Sequence, residues 1–167
     1  MLKAILHKIM TTTFTFFAKT AVAEIGRDSK INYPCKFSKK THIGSDCHFN
    51  GMKIYGYGEV RIGDHFHSGK GCIILTSNHN YKSSEVLPYD NTWITENVTI
   101  GRNVWLGMNV TILPGVNIGE GAIIQAGSVV VKDIPKCAIA GGHPALVFSQ
   151  RDPVEYESAL RSQSDAS

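Results

Sequence analysis

Along the second half of the chain an aliphatic residue returns at every sixth position: Ile94, Ile100, Leu106, Ile112, Ile118, Ile124 and Val130. Two positions before each stands a companion in the same step, at Thr92, Val98, Val104, Val110, Val116, Ala122 and Ser128. A helix would repeat about every 3.6 residues and carry few glycines, and an ordinary strand would alternate with period two. Period six fits a coil of three short strands per turn. Each aliphatic then points into a triangular core and stacks on its counterpart one turn, eighteen residues, later. Glycine follows the aliphatic at Ile100-Gly101, Leu106-Gly107 and Ile118-Gly119, where a turn between short strands needs either φ > 0 or no Cβ.

The signal continues upstream through Ile43-Gly44, Phe49, Ile62-Gly63, Ser68 and Ile74, with Val60, Phe66 and Cys72 as companions. The expected organisation is one domain over 1–167. It comprises an N-terminal appendage at 1–39, a β-helix at 40–135, and a C-terminal return with a short helix at 136–167. The phase slips twice, by one residue between Phe49 and Ile62 and by two between Ile74 and Ile94. The first slip predicts a short extrusion near Asn50 to Gly58. The second predicts a larger extruded loop over 76–91, a polar stretch containing Pro88. Past Pro135 the repeat ends, Pro153 is placed to open a helix over Val154 to Arg161, and Ser162 to Ser167 are expected to fray.

Length changes the picture little: 167 residues suffice for one sizeable core. A net charge of +3 from scattered basic residues leaves no footprint for nucleic acid. Cys35, Cys47, Cys72 and Cys137 contain no CxxC pair, which predicts reduced, partly buried thiols rather than a zinc knuckle or a redox motif. The apolar N-terminal stretch is interrupted by Lys3, His7, Lys8 and Lys19, so it predicts no membrane span. Ala21-Val22-Ala23 faintly resembles a signal cleavage site, but the Phe14 to Ala18 run is too short for a secretory segment. A helix packed on the domain or on a neighbouring subunit is expected, and peripheral contact with a membrane surface stays open.

Ile100-Gly101-Arg102-Asn103-Val104-Trp105-Leu106-Gly107 and the run from Ile124 to Pro135 resemble the hexapeptide-repeat acyltransferases. The sugar and polysaccharide O-acetyltransferases of the galactoside and maltose acetyltransferase type are the most similar branch. The resemblance spans about residues 40–148. It implies an all-β, left-handed parallel β-helix with short helical appendages, an exception to the right-handed crossover preference. It also implies a cytoplasmic homotrimer with active sites at subunit interfaces, acetyl-CoA as acyl donor, no metal, and a small-molecule or glycan acceptor.

The repeat specifies a scaffold, so the extruded loops carry the chemistry. His79, in Thr76-Ser77-Asn78-His79-Asn80-Tyr81, matches the family's histidine that takes the proton of an acceptor hydroxyl as it attacks the thioester. Imidazole suits that work because it titrates near neutral pH. Asn50 matches the asparagine that contacts the acceptor. Glu85 and Asp90 share the long loop and are candidates to orient His79, as is a backbone carbonyl. For the acyl-CoA, the resemblance points to Trp105, Gly107, Gln125, Ala126, Gly127 and Lys132. Met108, Val131, Leu146 and Ser149 replace residues common in relatives, with Arg151 as a substitute phosphate contact.

The expected activity is transfer of an acetyl group to a hydroxyl of a sugar or surface-polysaccharide precursor. Serine, an amino sugar or an antibiotic are the rival acceptors. Outside acyl transfer the rivals are a non-catalytic scaffold and a zinc lyase, the latter suggested by His48, His65 and His67. The zinc reading lacks the H-x-x-x-x-H pair, since no histidine stands between His79 and His143.

Overall fold

In the computed structural model, which describes residues 2–83 and 85–165, the period-six segment is a parallel β-helix. Three sheets form its walls. Wall A stacks Glu24–Ile25, Thr41–Ile43, Val60–Ile62, Val98–Ile100 and Asn117–Ile118. Wall B stacks Lys30–Tyr33, His48–Asn50, His67–Lys70, Trp105–Leu106, Ile123–Ile124 and Ala138–Gly142. Wall C stacks Lys53–Tyr55, Ile73–Leu75, Thr111–Ile112 and Val129–Val130. Trp105 lies opposite Ile123 and Thr111 opposite Val129, each pair eighteen residues apart, as the repeat requires.

Both sequence columns enter the core. Ile100, Leu106, Ile112, Ile118, Ile124 and Val130 are buried, and so are Val98, Val104, Val110, Val116, Ala122 and Ser128. The glycine after the aliphatic is needed because the next turn packs against it. A Cβ on Gly107 would lie 2.4 Å from the Ala126 backbone nitrogen. The left-handed residue comes two positions later instead, at Asn103 (φ 58°), Asn109 (φ 55°) and Gly121 (φ 70°).

Three expectations are corrected. Paired strands begin at Glu24, not residue 40, and continue past 135 into Ala138–Gly142, which pairs with Ile123–Ile124. Thr92 and Ile94 are not coil positions. Ser77–His79 and Trp93–Thr95 form an antiparallel pair, so the extrusion is wider than 76–91 and Ile94 keeps the phase only by coincidence. The first slip leaves Lys53–Tyr55 as a regular wall strand.

Helix α1, Leu2–Ala21, lies across the first turn, with Ala18 and Val22 in the core and Phe14 packed against it. Helix α2, Pro153–Asp165, follows a return strand, Ala145–Gln150, that runs antiparallel to Ala138–Gly142. Asp152 caps α2 by accepting from the backbone N–H groups of Val154 and Glu155 at 2.8 and 3.0 Å. The helix is longer than expected and continues into the segment predicted to fray. Ala166 and Ser167, the end of that segment, lie outside the described residues. Tyr156 anchors α2. Its ring lies against Gly121, and its hydroxyl donates to Glu120 at 3.1 Å and accepts from Asn103 at 3.2 Å.

Candidate active site

His79 closes the first arm of the hairpin, directly across from Trp93. Its imidazole is sandwiched by aromatic rings, Tyr89 at 3.9 Å between centroids and 15° from parallel, and Trp93 at 4.1 Å and 31°. Tyr57 braces Trp93 edge-on at 5.2 Å. Tyr57 comes from the turn between Lys53–Tyr55 and Val60–Ile62, and the hairpin leaves the same C-to-A corner one turn later. Both phase slips therefore build one feature. Ser77 fastens its base, donating or accepting with Thr95 at 3.0 Å and accepting from the Tyr57 backbone N–H at 2.9 Å.

Tyr89, Trp93 and Tyr57 are not among the residues that the sequence singles out. The signal available for them was the crowding of Tyr81, Tyr89 and Trp93 into one loop that contributes nothing to the core. The carboxylates considered for orienting His79 are engaged elsewhere or exposed. Asp90 accepts from Thr92 and from Asn80, and the Thr92 hydroxyl, then its backbone N–H, hold its carboxyl below the usual range. Glu85 is exposed, with its backbone N–H on the Ser83 hydroxyl.

The other candidates occupy the remaining corners. Asn50, Gly107, Gln125, Ala126 and Gly127 lie at the ends of wall B strands or just after them, and share the B-to-C corner. Asn50 donates from its amide to the Ser68 carbonyl at 2.6 Å and accepts from the Asn32 amide at 3.3 Å. Gly107 and Gly127 are on successive turns, with the Gly127 N–H donating to the Met108 carbonyl at 2.8 Å. A Cβ placed on Gly127 would meet nothing within 4 Å, so the corner is open beside it. Lys132 is exposed in the C-to-A corner, the one that carries His79. Thus one chain separates Asn50 from His79 and brings Lys132 to the same edge as His79.

Trp105 points outward from wall B and is half exposed. It lines a cleft of about 460 Å³ between wall B and α2, together with His67, Asp46, His65, Arg151 and Tyr156. Arg151 donates from Nε to the Gly121 carbonyl at 2.7 Å, so part of its guanidinium serves the fold. His48 and His67 stack at 4.5 Å, as their positions on successive turns predict. Asp46 and the His65 Nδ1 are 2.9 Å apart, and that bond is the main cause holding the Asp46 carboxyl low. Burial, then the His48 neighbour, hold the His67 imidazole below its ordinary value. Among the described residues, no group of three or more His, Cys, Asp or Glu side chains is arranged to hold a metal ion.

Residues 97–132 match the family model described as bacterial transferase hexapeptide (six repeats). That segment carries a hexapeptide repeat of the kind the model describes. Solved structures of hexapeptide-repeat enzymes share its fold. A hexapeptide-repeat containing acetyltransferase from Vibrio cholerae O1 biovar eltor, complexed with acetyl coenzyme A, is 28% identical at a TM-score of 0.75, over 83% of this chain and 76% of that one. A galactoside acetyltransferase in complex with coenzyme A is 28% identical at 0.73, over 85% and 72%. A maltose O-acetyltransferase from Clostridium difficile 630 is 28% identical at 0.67, over 83% and 74%. These similar hexapeptide-repeat structures are of the class that the sequence resemblance implied.

Proposed function

We propose that the protein is a cytoplasmic acetyl-CoA-dependent O-acetyltransferase that acts directly on a hydroxyl of a sugar or polysaccharide precursor. The observation that carries this reading is His79, held outside the coil on a hairpin, with both faces of its ring covered by Tyr89 and Trp93. Covered faces leave the nitrogen-bearing edge as the reactive part. The similarity to acetyltransferases complexed with acetyl-CoA or CoA supplies the donor class.

Acetyl-CoA supplies the activated acetyl group. His79 takes the proton from the acceptor oxygen as that oxygen bonds to the acetyl carbon, and returns it to the departing sulfur, so no acyl group passes through the protein. The B-to-C corner, open beside Gly127, suits an extended pantetheine arm, with Gly107, Gln125 and Ala126 at its wall. Lys132, and the part of Arg151 not used by Gly121, are the cations for the nucleotide phosphates. Trp105 offers a flat apolar surface to the donor or the acceptor.

The active species in this proposal is a homotrimer. Asn50 and His79 stand at different corners of one chain, so they join one site across a subunit boundary, with Asn50 holding the acceptor. The test is thiol release from acetyl-CoA with a panel of sugars, serine, amino sugars and an aminoglycoside. Release that depends on a sugar hydroxyl supports the reading. Coenzyme A binding with turnover only on an amine replaces O- by N-acetylation. Absence of coenzyme A binding overturns the enzyme class in favour of a scaffold.

A further inference from the structure

Helix α1 closes one end of the β-helix, and a terminal cap of a solenoid normally turns a polar face to water. This one does not. Its packed face is Thr11, Phe14, Thr15 and Ala18, where Thr15 accepts from the Ile31 backbone N–H at 3.0 Å and Thr11 donates to Asn32 at 3.3 Å. On the opposite side, Leu2, Ile5, Leu6, Ile9 and Phe16 follow helical spacing into one stripe, Phe17 sits at its edge, where it also lines a recess with Phe14, Ile31 and Phe37, and each of these six helix residues from Leu2 to Phe17 is more than half exposed. Helical geometry sets Lys3 on one flank of that stripe and Lys8 and Lys19 on the other. The helix contains no Asp or Glu. Lys8 and Lys19, with Lys30 of wall B, also line a groove of about 610 Å³ beside the helix, where Asp28 is the acidic member.

We infer that the outer face of α1 docks the protein in the plane of an anionic phospholipid bilayer. The stripe enters the acyl boundary while the lysines reach headgroup phosphates. A second copy of the chain would cover apolar area equally well, but two such helices would bring their lysines together without an acidic partner on either. The charge pattern therefore favours lipid. The helix does not span: no helix among the described residues is long and apolar enough to cross a membrane. This inference is independent of the acyl-transfer reading.

The test is flotation of the full chain with phosphatidylcholine vesicles and with vesicles of phosphatidylcholine and phosphatidylglycerol, for the wild type, Ile9→Glu and Phe16→Glu. Both residues are exposed, and thermal melts that match the wild type confirm that the variants fold. The expected result is partitioning ~10-fold or more higher on the anionic vesicles, and loss of binding in both glutamate variants. Wild type that stays in the aqueous phase with both vesicle types overturns the inference. So does a self-association, seen by sedimentation velocity, that the glutamate variants abolish while vesicle binding is unchanged.

Discussion

The imidazole of His79 lies almost parallel to the ring of Tyr89, 3.9 Å away, while Trp93 covers its other face. A histidine in an exposed loop would ordinarily sample several rotamers. Here both ring planes are fixed by neighbours on the second arm of the hairpin and just before it. The long insertion is therefore a rigid holder for one side chain.

That holder makes the first prediction. Stacked aromatic pairs contribute about 0.5–1.5 kcal/mol, so Tyr89→Ala should lower kcat by roughly 2- to 10-fold. Tyr89→Phe keeps the stack and should restore it. If Tyr89 acts by holding the His79 ring, KM for the acceptor should hold steady in both variants. Steady-state kinetics on the three proteins check this, and a Phe variant as impaired as the Ala variant contradicts it.

The coil itself should be sensitive at its central layers. Leu106 is fully buried between successive turns, and Leu106→Ala should cost about 2–5 kcal/mol in chemical denaturation. Gly107→Ala should also destabilise, because the new methyl would meet backbone rather than a movable side chain. An unchanged denaturation midpoint for either would contradict the packing described here.

Burial pushes the Cys47 thiol up to about 11 from an ordinary value of 9.0. A raised value means that the folded state keeps the proton that the unfolded chain gives up. Stability from this group is thus full below pH 9 and is lost as pH rises from 9 towards 11, by an amount on the order of 2–3 kcal/mol. Comparing the pH dependence of unfolding in wild type and Cys47→Ala isolates the effect: the variant should lose less stability over that interval. Native Cys47 and Cys72, both buried, should also resist alkylation near pH 8.

Lys132 shares an edge with His79 and is exposed. If it meets a nucleotide phosphate, Lys132→Ala should weaken coenzyme A binding by ~10- to 100-fold, the worth of a hydrogen bond to a charged group. Titration calorimetry with coenzyme A and 3′-dephospho-coenzyme A separates the phosphates. The loss should shrink with the dephospho form if the 3′-phosphate is the partner.

The fold was legible in the sequence because each turn repeats one steric rule. An aliphatic fills the core, glycine admits the next turn, and Asn, Asp, Gly or, at His65, histidine takes the left-handed corner two residues on. The place of His79 outside the coil was legible in the polar stretch that breaks the period. Its aromatic clamp was not, because the hairpin arms are only three residues each, too short for strand periodicity to show. Ile94 misled for the opposite reason, falling in step with the coil while pairing with Asn78 outside it. The first turn, Glu24 to Tyr33, obeys the same rule, since Ile25-Gly26 is followed at six-residue steps by Ile31, Phe37 and Ile43, so the expected boundary at 40 falls one turn short.

The most direct test of His79 as the base is acceptor-dependent thiol release by wild type and His79→Ala, with coenzyme A affinity measured on both. The expected result is a fall in kcat of ~10²-fold or more at unchanged affinity for coenzyme A. A variant that retains wild-type turnover would contradict the base role.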